Sequence, residues 1–248
     1  MPFETYLDAA RRALARLSRD EATSIRAAAV IVAGAFGAGG LLHVFGAGHS
    51  HLLAEEAFYR AGGLAFVNPI LDRRLMFFDG VMASTRAERE PGYAAVIMAR
   101  EDIRSIDTAI VVSNSGRNAV PVEMALALQA CGVKVIAITS LGHARAVTPR
   151  TPSGQKLYEI ADIVIDTGIP AGDAAVALPG TAFRMGPLST IVGAAVIHAI
   201  SIEVATLLLA QGHEPPVLAS ANLDTTSERD LTRLLERYAG RIRYLDVL

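Results

Sequence analysis

Thr108-Ala109-Ile110-Val111-Val112, followed by Ser113-Asn114-Ser115-Gly116-Arg117-Asn118, is the stretch that decides the fold. The first five residues are apolar or β-branched and do not alternate with polar ones. Such a run suits a strand buried on both faces of a parallel sheet. A donor-rich loop comes next, then an apolar segment of helical length, Pro121–Cys131, then a second continuous strand, Lys134–Ile138. Strand, loop, helix, strand is the repeating unit of an α/β domain.

The pattern extends in both directions. Upstream, Leu41–Phe45 is a short apolar run ending at Gly46. A helix is expected over Ser50–Ala61, stopped by Gly62-Gly63, and a strand over Leu64–Val67. Pro69–Gly92 reads as irregular and Tyr93–Arg100 as a helix. Downstream, the loop His143–Gly154 leads to a strand at Ile163–Ile165. A long apolar helix is expected over Arg184–Gln211 and an amphipathic one over Ser227–Tyr238. At the amino end, Phe3, Leu7, Ala10, Leu14 and Leu17 form one helical stripe, and a second, nearly all-apolar helix covers Glu21–Ala35. The expected fold is α/β, a doubly wound parallel five-stranded sheet with helices added at both ends. Residues 1–40 are a helical prefix within the same domain and a candidate oligomer interface. Residues 41–211 are the ligand-binding domain, and residues 212–248 are an extension.

Composition narrows the function. The chain has 248 residues, 52% of them hydrophobic, with a formal net charge of −2, one cysteine and no tryptophan. So apolar a chain is not disordered. Cys131 has no partner for an intrachain disulfide. The charge balance gives no basic footprint for nucleic acid. Leu188–Ala210 is about long enough to span a bilayer, but it carries His198, Ser201, Glu203 and Thr206. A mid-span Glu costs roughly 3 kcal/mol on insertion scales, and no Lys/Arg cluster flanks the segment. A helix buried within the protein or between subunits is the expected reading. The amino end mixes acidic and basic residues without an apolar core segment, so it is not read as a signal peptide. A cytoplasmic protein, away from membranes, is expected.

In such a sheet, ligands bind past the carboxyl ends of the strands. Two loops stand there. Gly46-Ala47-Gly48-His49-Ser50-His51 can turn tightly and bring backbone N–H groups to an anion, with Ser50 placed to cap the next helix. The segment from Ser113 to Asn118 offers hydroxyl and amide donors that suit phosphate oxygens without a lysine. Each loop could equally be an ordinary turn and helix cap. A dinucleotide site would need Gly at position 51, where the chain has His51, and an acidic residue near Asn68-Pro69. No redox cofactor is expected.

Taken together, Gly46-Ala47-Gly48-His49-Ser50, Ser113-Asn114-Ser115-Gly116-Arg117-Asn118, Gly132 through Ser140 and Ala161-Asp162 resemble the SIS (sugar isomerase) domain family over roughly residues 22–211. The run from Gly48 to Gly63 is similar to an uncharacterised subfamily labelled as phosphoheptose-isomerase-like. The resemblance implies a phosphosugar ligand, a homodimer or homotetramer, and no cofactor. It implies phosphosugar-binding roles for Gly46, Gly48, His49, Ser50, Ser113, Asn114, Ser115, Gly116 and Asn118, with Asn118 standing where the family usually has Thr. The acid–base positions of phosphoheptose isomerases fall on Glu56, Arg60, Thr190 and His198. The first three differ from the family's His, Glu and Gln, so no metal is expected. Gly172-Asp173 matches a Glu-bearing loop of the aminosugar synthases.

Aldose–ketose isomerisation through an enediol needs a group that moves a proton between C1 and C2. Glu55 and Glu56 lie one turn past the first loop. Glu56 and Arg60, or His51 and Glu55, could instead be plain i, i+4 helix neighbours. His198 could be a core histidine and Asp173 a loop cap. The catalytic candidates are Glu56, Glu55, His51, Asp173 and His198. The resemblance implies two functions: a sugar-phosphate isomerase, or a related lyase or etherase, and a non-catalytic phosphosugar sensor.

Overall fold

The structure is a computed structural model and describes residues 1–245. Two helices come first, α1 (Pro2–Asp20) and α2 (Ala22–Gly37). The sheet begins with β1 (Leu42–Gly46), a 3-10 turn at Gly48–Ser50, α3 (His51–Ala57) and β2 (Val67–Ile70). A 3-10 turn at Arg73–Leu75, α4 (Val81–Ala87) and α5 (Tyr93–Met98) lead to β3 (Thr108–Val112). Then come α6 (Ala119–Ala130), β4 (Lys134–Thr139), α7 (Leu141–Ala146), α8 (Leu157–Ile160) and β5 (Ile163–Asp166). A hairpin of β6 (Ala174–Ala177) and β7 (Arg184–Pro187) precedes α9 (Ser189–Ala210) and α10 (Glu228–Ala239).

The five-stranded sheet is parallel throughout, in the order β2-β1-β3-β4-β5. That bears out the doubly wound expectation. In β3, Ile110 and Val112 face the layer built by α1, α2, α3 and α9, while Ala109 and Val111 face α5 and α6. Each strand feeds two cores, which is why its sequence does not alternate. The helices of the prefix share the first core, through Ala10, Leu17, Ile25 and Val32.

Several boundaries differ from the sequence reading, each for a local reason. The second strand is Val67–Ile70, not Leu64–Val67. Residues 62–65 instead pair with 216–218 of the carboxyl-terminal extension, through Gly62 N–H to Leu218 O, Leu218 N–H to Gly63 O and Ala65 N–H to Pro216 O. Pro69 is tolerated in β2 because that strand lies at the sheet edge. The helix after the first loop ends at Ala57 rather than Ala61, since Phe58 is extended and Tyr59 takes φ +46°. The long apolar helix starts at Ser189, not Arg184. Gly186 has φ +77° and its α-carbon lies against the Tyr6 ring, so residues 184–187 form a strand. The segment 69–92 contains α4, and α7 begins just before the expected loop at His143.

At the other edge, the backbone N–H of Asp166 in β5 donates to Glu21 Oε2, and Arg16 donates to Asp166 O and Oδ2 at 2.8 and 2.7 Å. Below the sheet, at the amino-terminal ends of its strands, lies a buried polar network. Asp107 accepts from Leu41 N–H, Arg104 N–H and Arg241 Nη2. His43 Nε2 lies 3.0 Å from Asp107 Oδ2, and His43 Nδ1 lies 3.0 Å from the Asn68 amide, which also donates to Glu101. One tautomer satisfies both contacts, with the proton on Nε2.

Candidate functional site

The loops after β1, β3 and β5, the ends of β3 and β4, and the first turns of α3 and α9 line a small open cleft. This is the switch point of the sheet, where chain connections leave β1 and β3 in opposite directions. His49, Ser50 and Leu53 line it from the first loop and α3. Asn114 and Thr167 line it from the ends of β3 and β5, and Ser189 and Thr190 from α9. Val112 and Ile138 complete its apolar floor.

The first loop is shaped by contact. A Cβ on Gly46 would stand 2.3 Å from the Ser50 carbonyl oxygen, so only glycine lets the chain fold back there. Ser50 occupies the helix-capping position but makes no capping bond, contrary to the expected cap. Its hydroxyl is left for the cleft. The His49 ring packs on Phe77 with centroids 4.9 Å apart. His51 is buried instead, with Nδ1 against the Gly48 carbonyl and Nε2 3.9 Å from Glu55.

The second loop is held from within. Ser113 Oγ accepts from Gly116 N–H at 3.2 Å. The Asn114 carbonyl accepts from Ser140 N–H and Thr139 Oγ1, which fixes its side chain at the cleft. Gly116 takes φ +55° and its carbonyl accepts from Leu157 N–H. Asn118 Oδ1 accepts from Arg150 at 3.2 Å. Ser115 is half-buried, and neither it nor Asn118 is among the lining residues. Nearby on α7, burial and then the Arg117 guanidinium push the His143 imidazole below its ordinary pKa.

The catalytic candidates separate into groups. Glu56 on α3 and His198 on α9 meet, with Nε2 to Oε1 at 2.9 Å. Arg60 Nε also approaches Glu56 Oε1, at 3.3 Å. These two helices are the ones whose first turns line the cleft, and they touch where Leu53 packs on Gly193. Glu55 is exposed on the outer side of α3. Asp173 follows β5 and accepts from Leu188 N–H and Ser189 N–H at 2.9 Å each, and from Ser189 Oγ at 2.6 Å. Among the described residues, no three His, Cys, Asp or Glu side chains cluster with metal-binding geometry. Sequence reasoning passed over Thr167 and Ser189. Thr167 follows a strand, which is the same signal that marked the other loops. Ser189 was hidden inside a helix begun too early.

The sequence matches the SIS domain family over residues 5–140. A UPF0309 protein of Geobacillus thermodenitrificans is 40% identical over 242 residues, covering 98% of this chain and 97% of that protein. A UPF0309 protein of Listeria innocua is 40% identical over 240 residues, covering 97% of each. Among solved structures, a phosphoheptose isomerase from Neisseria gonorrhoeae superposes with a TM-score of 0.54 at 17% identity, covering 82% of this chain and 97% of that one. A phosphoheptose isomerase from Francisella tularensis gives 0.53 at 16% identity, covering 82% and 96%. At such identities the likeness speaks to the fold. A five-stranded parallel sheet with a donor-lined cleft at its switch point, together with these matches, places the chain in the SIS domain family, among the UPF0309 proteins.

Proposed function

We propose that the protein binds a sugar phosphate in this cleft and interconverts its aldose and ketose forms through an enediol. The observation that carries the reading is the lining. Hydroxyl and amide groups of Ser50, Asn114, Thr167 and Thr190 converge over an apolar floor, with no Lys or Arg among them. Neutral donors at strand ends and helix starts suit phosphate oxygens and sugar hydroxyls together. Ser113, Ser115, Gly116 and Asn118 shape and extend the phosphate loop, and Gly46 and Gly48 let the first loop approach.

The Glu56–His198 pair is assigned as the two groups that proton transfer needs, although it lies farther along α3 and α9 than the residues that line the cleft. In this assignment Glu56 takes the proton from C2 of the aldose. The electron pair forms the C1–C2 double bond, and the carbonyl oxygen takes a proton from His198. Return of that proton from Glu56 to C1, with the C2 hydroxyl proton passing back to His198, gives the ketose and restores both groups, so no oxidant or reductant is consumed. Glu55, His51 and Asp173 are supporting residues. The test is exchange of solvent deuterium into C2 of a panel of hexose and heptose phosphates. Exchange with a ligand that binds supports the isomerase. Tight binding without exchange removes it.

A second reading has its own observation. No carboxylate is among the lining residues. A phosphosugar sensor without chemistry would need only the donors, and the same exchange experiment separates the two.

A further inference from the structure

Ser189 lines the cleft, and its proton is already committed. Its Oγ donates to Asp173 Oδ2 at 2.6 Å. The other Asp173 oxygen accepts two backbone N–H groups, from Leu188 and Ser189. Asp173 holds this position at φ +66°, a left-handed conformation uncommon outside glycine. A carboxylate has no proton to give, so the direction of the Ser189–Asp173 bond is fixed. What Ser189 turns to the cleft is therefore lone pairs. It can accept a hydrogen bond and cannot donate one. The start of α9 is not a free anion site either, because Asp173 occupies it.

We infer that Ser189 is a specificity-determining residue that accepts a hydrogen bond from a hydroxyl of the ligand, and that Asp173 is the positioning residue that sets this polarity. The inference rests on the cleft being the phosphosugar site. It gives the cleft a direction. The wall of Ser50 and Asn114 offers donors and takes the phosphate. The wall of Ser189 offers an acceptor, with a negative charge behind it, and takes a hydroxyl-bearing carbon. Phosphate oxygens are repelled there. The ligand class is a polyhydroxylated phosphate ester, bound with its phosphate away from α9.

The substitution Asp173→Asn makes the test sharp. The remaining oxygen keeps the two backbone bonds, while the new amide donates to Ser189 Oγ and turns its proton into the cleft. Calorimetric titrations would use inorganic phosphate and a panel of fructose 6-phosphate, glucose 6-phosphate and sedoheptulose 7-phosphate. For the wild type, at least one sugar phosphate should bind more tightly than inorganic phosphate. Ser189→Ala should reduce that advantage by about tenfold and leave phosphate affinity unchanged. Asp173→Asn should also reduce the advantage, yet bind inorganic phosphate about threefold more tightly, by adding a donor. Merely structural damage would weaken both ligands. An undiminished sugar advantage in Ser189→Ala, or weaker phosphate binding in Asp173→Asn, overturns the inference. So does a wild type that binds phosphate but prefers no sugar phosphate, which leaves the site itself standing. A wild type that binds neither sinks the site reading and the inference with it. If Asp173→Asn fails to fold, Ser189→Ala decides alone.

Discussion

Glu56 and His198 show how far single residues could be read in advance. Both were legible as candidates, because their types and positions matched a chemistry. Their contact was not, since it depends on how α3 and α9 lie together. Glu56→Gln keeps the shape and the contact with His198 but removes the base. Isotope exchange should fall by about a hundredfold or more, while calorimetric binding stays within a factor of two or so of wild type. Unchanged exchange would take Glu56 out of the reaction. Asp107 was not legible at all, since nothing in its local sequence announces a buried anion. Burial alone would raise its carboxyl, but the bonds from His43, Arg241 and the backbone N–H groups of Leu41 and Arg104 outweigh that and hold it well below the usual carboxylate range. A depressed carboxyl pKa stabilises the fold above the unfolded value of 3.8, and that contribution is lost as pH falls below it. Asp107→Asn should cost about 2–4 kcal/mol in urea unfolding at pH 7. The gap to wild type should narrow at pH 3, and a gap that widens on acidification would contradict the assignment.

At the scale of elements, continuous apolar runs were the dependable signal. Thr108–Val112 was placed to the residue, because a doubly buried strand has no other way to be written. The misplacements occur where tertiary pairing overrides composition. Leu64 and Phe66 are as apolar as any strand, yet the chain at 62–65 pairs with the extension. Arg184–Pro187 looked like the start of a helix, but Gly186 and the Tyr6 ring bend it into a hairpin. The same close packing predicts the weak point of the first loop. Gly46→Ala must push the Ser50 carbonyl aside, so it should abolish sugar-phosphate binding and lower stability by about 1–3 kcal/mol. Wild-type affinity in a folded Gly46→Ala protein would show that the loop does not shape the cleft.

For the whole molecule, α9 poses the largest question. By length and composition it could cross a membrane. Within the fold it is a core helix, with Val192, Val196, Ile200, Val204 and Leu208 buried along one stripe. Ile202 and Leu209 on its outer side remain 67% and 63% exposed. A mostly apolar helix left half-covered is expected to be completed by a second copy of the chain. Ile202→Glu with Leu209→Glu should lower the mass seen by analytical ultracentrifugation to that of a monomer. An unchanged oligomer would place the interface elsewhere. That an unusually large share of the chain is apolar was legible from composition. Which face stays uncovered was not, because it depends on how α2 and α3 pack.

The two margins of the sheet carry a separate consequence. Leu42 N–H donates to Phe66 O, and alternation along β2 then turns the Pro69 nitrogen outward, where it has no proton to offer. At the opposite margin, Glu21 and Arg16 occupy the Asp166 N–H and C=O. A stray strand that tried to zip onto either side would meet a missing donor or a pair of groups already engaged. The amino-terminal helices thus do more than pack. They help close the five-stranded sheet against templated growth, so fibril seeding by strand addition is disfavoured at both of its margins.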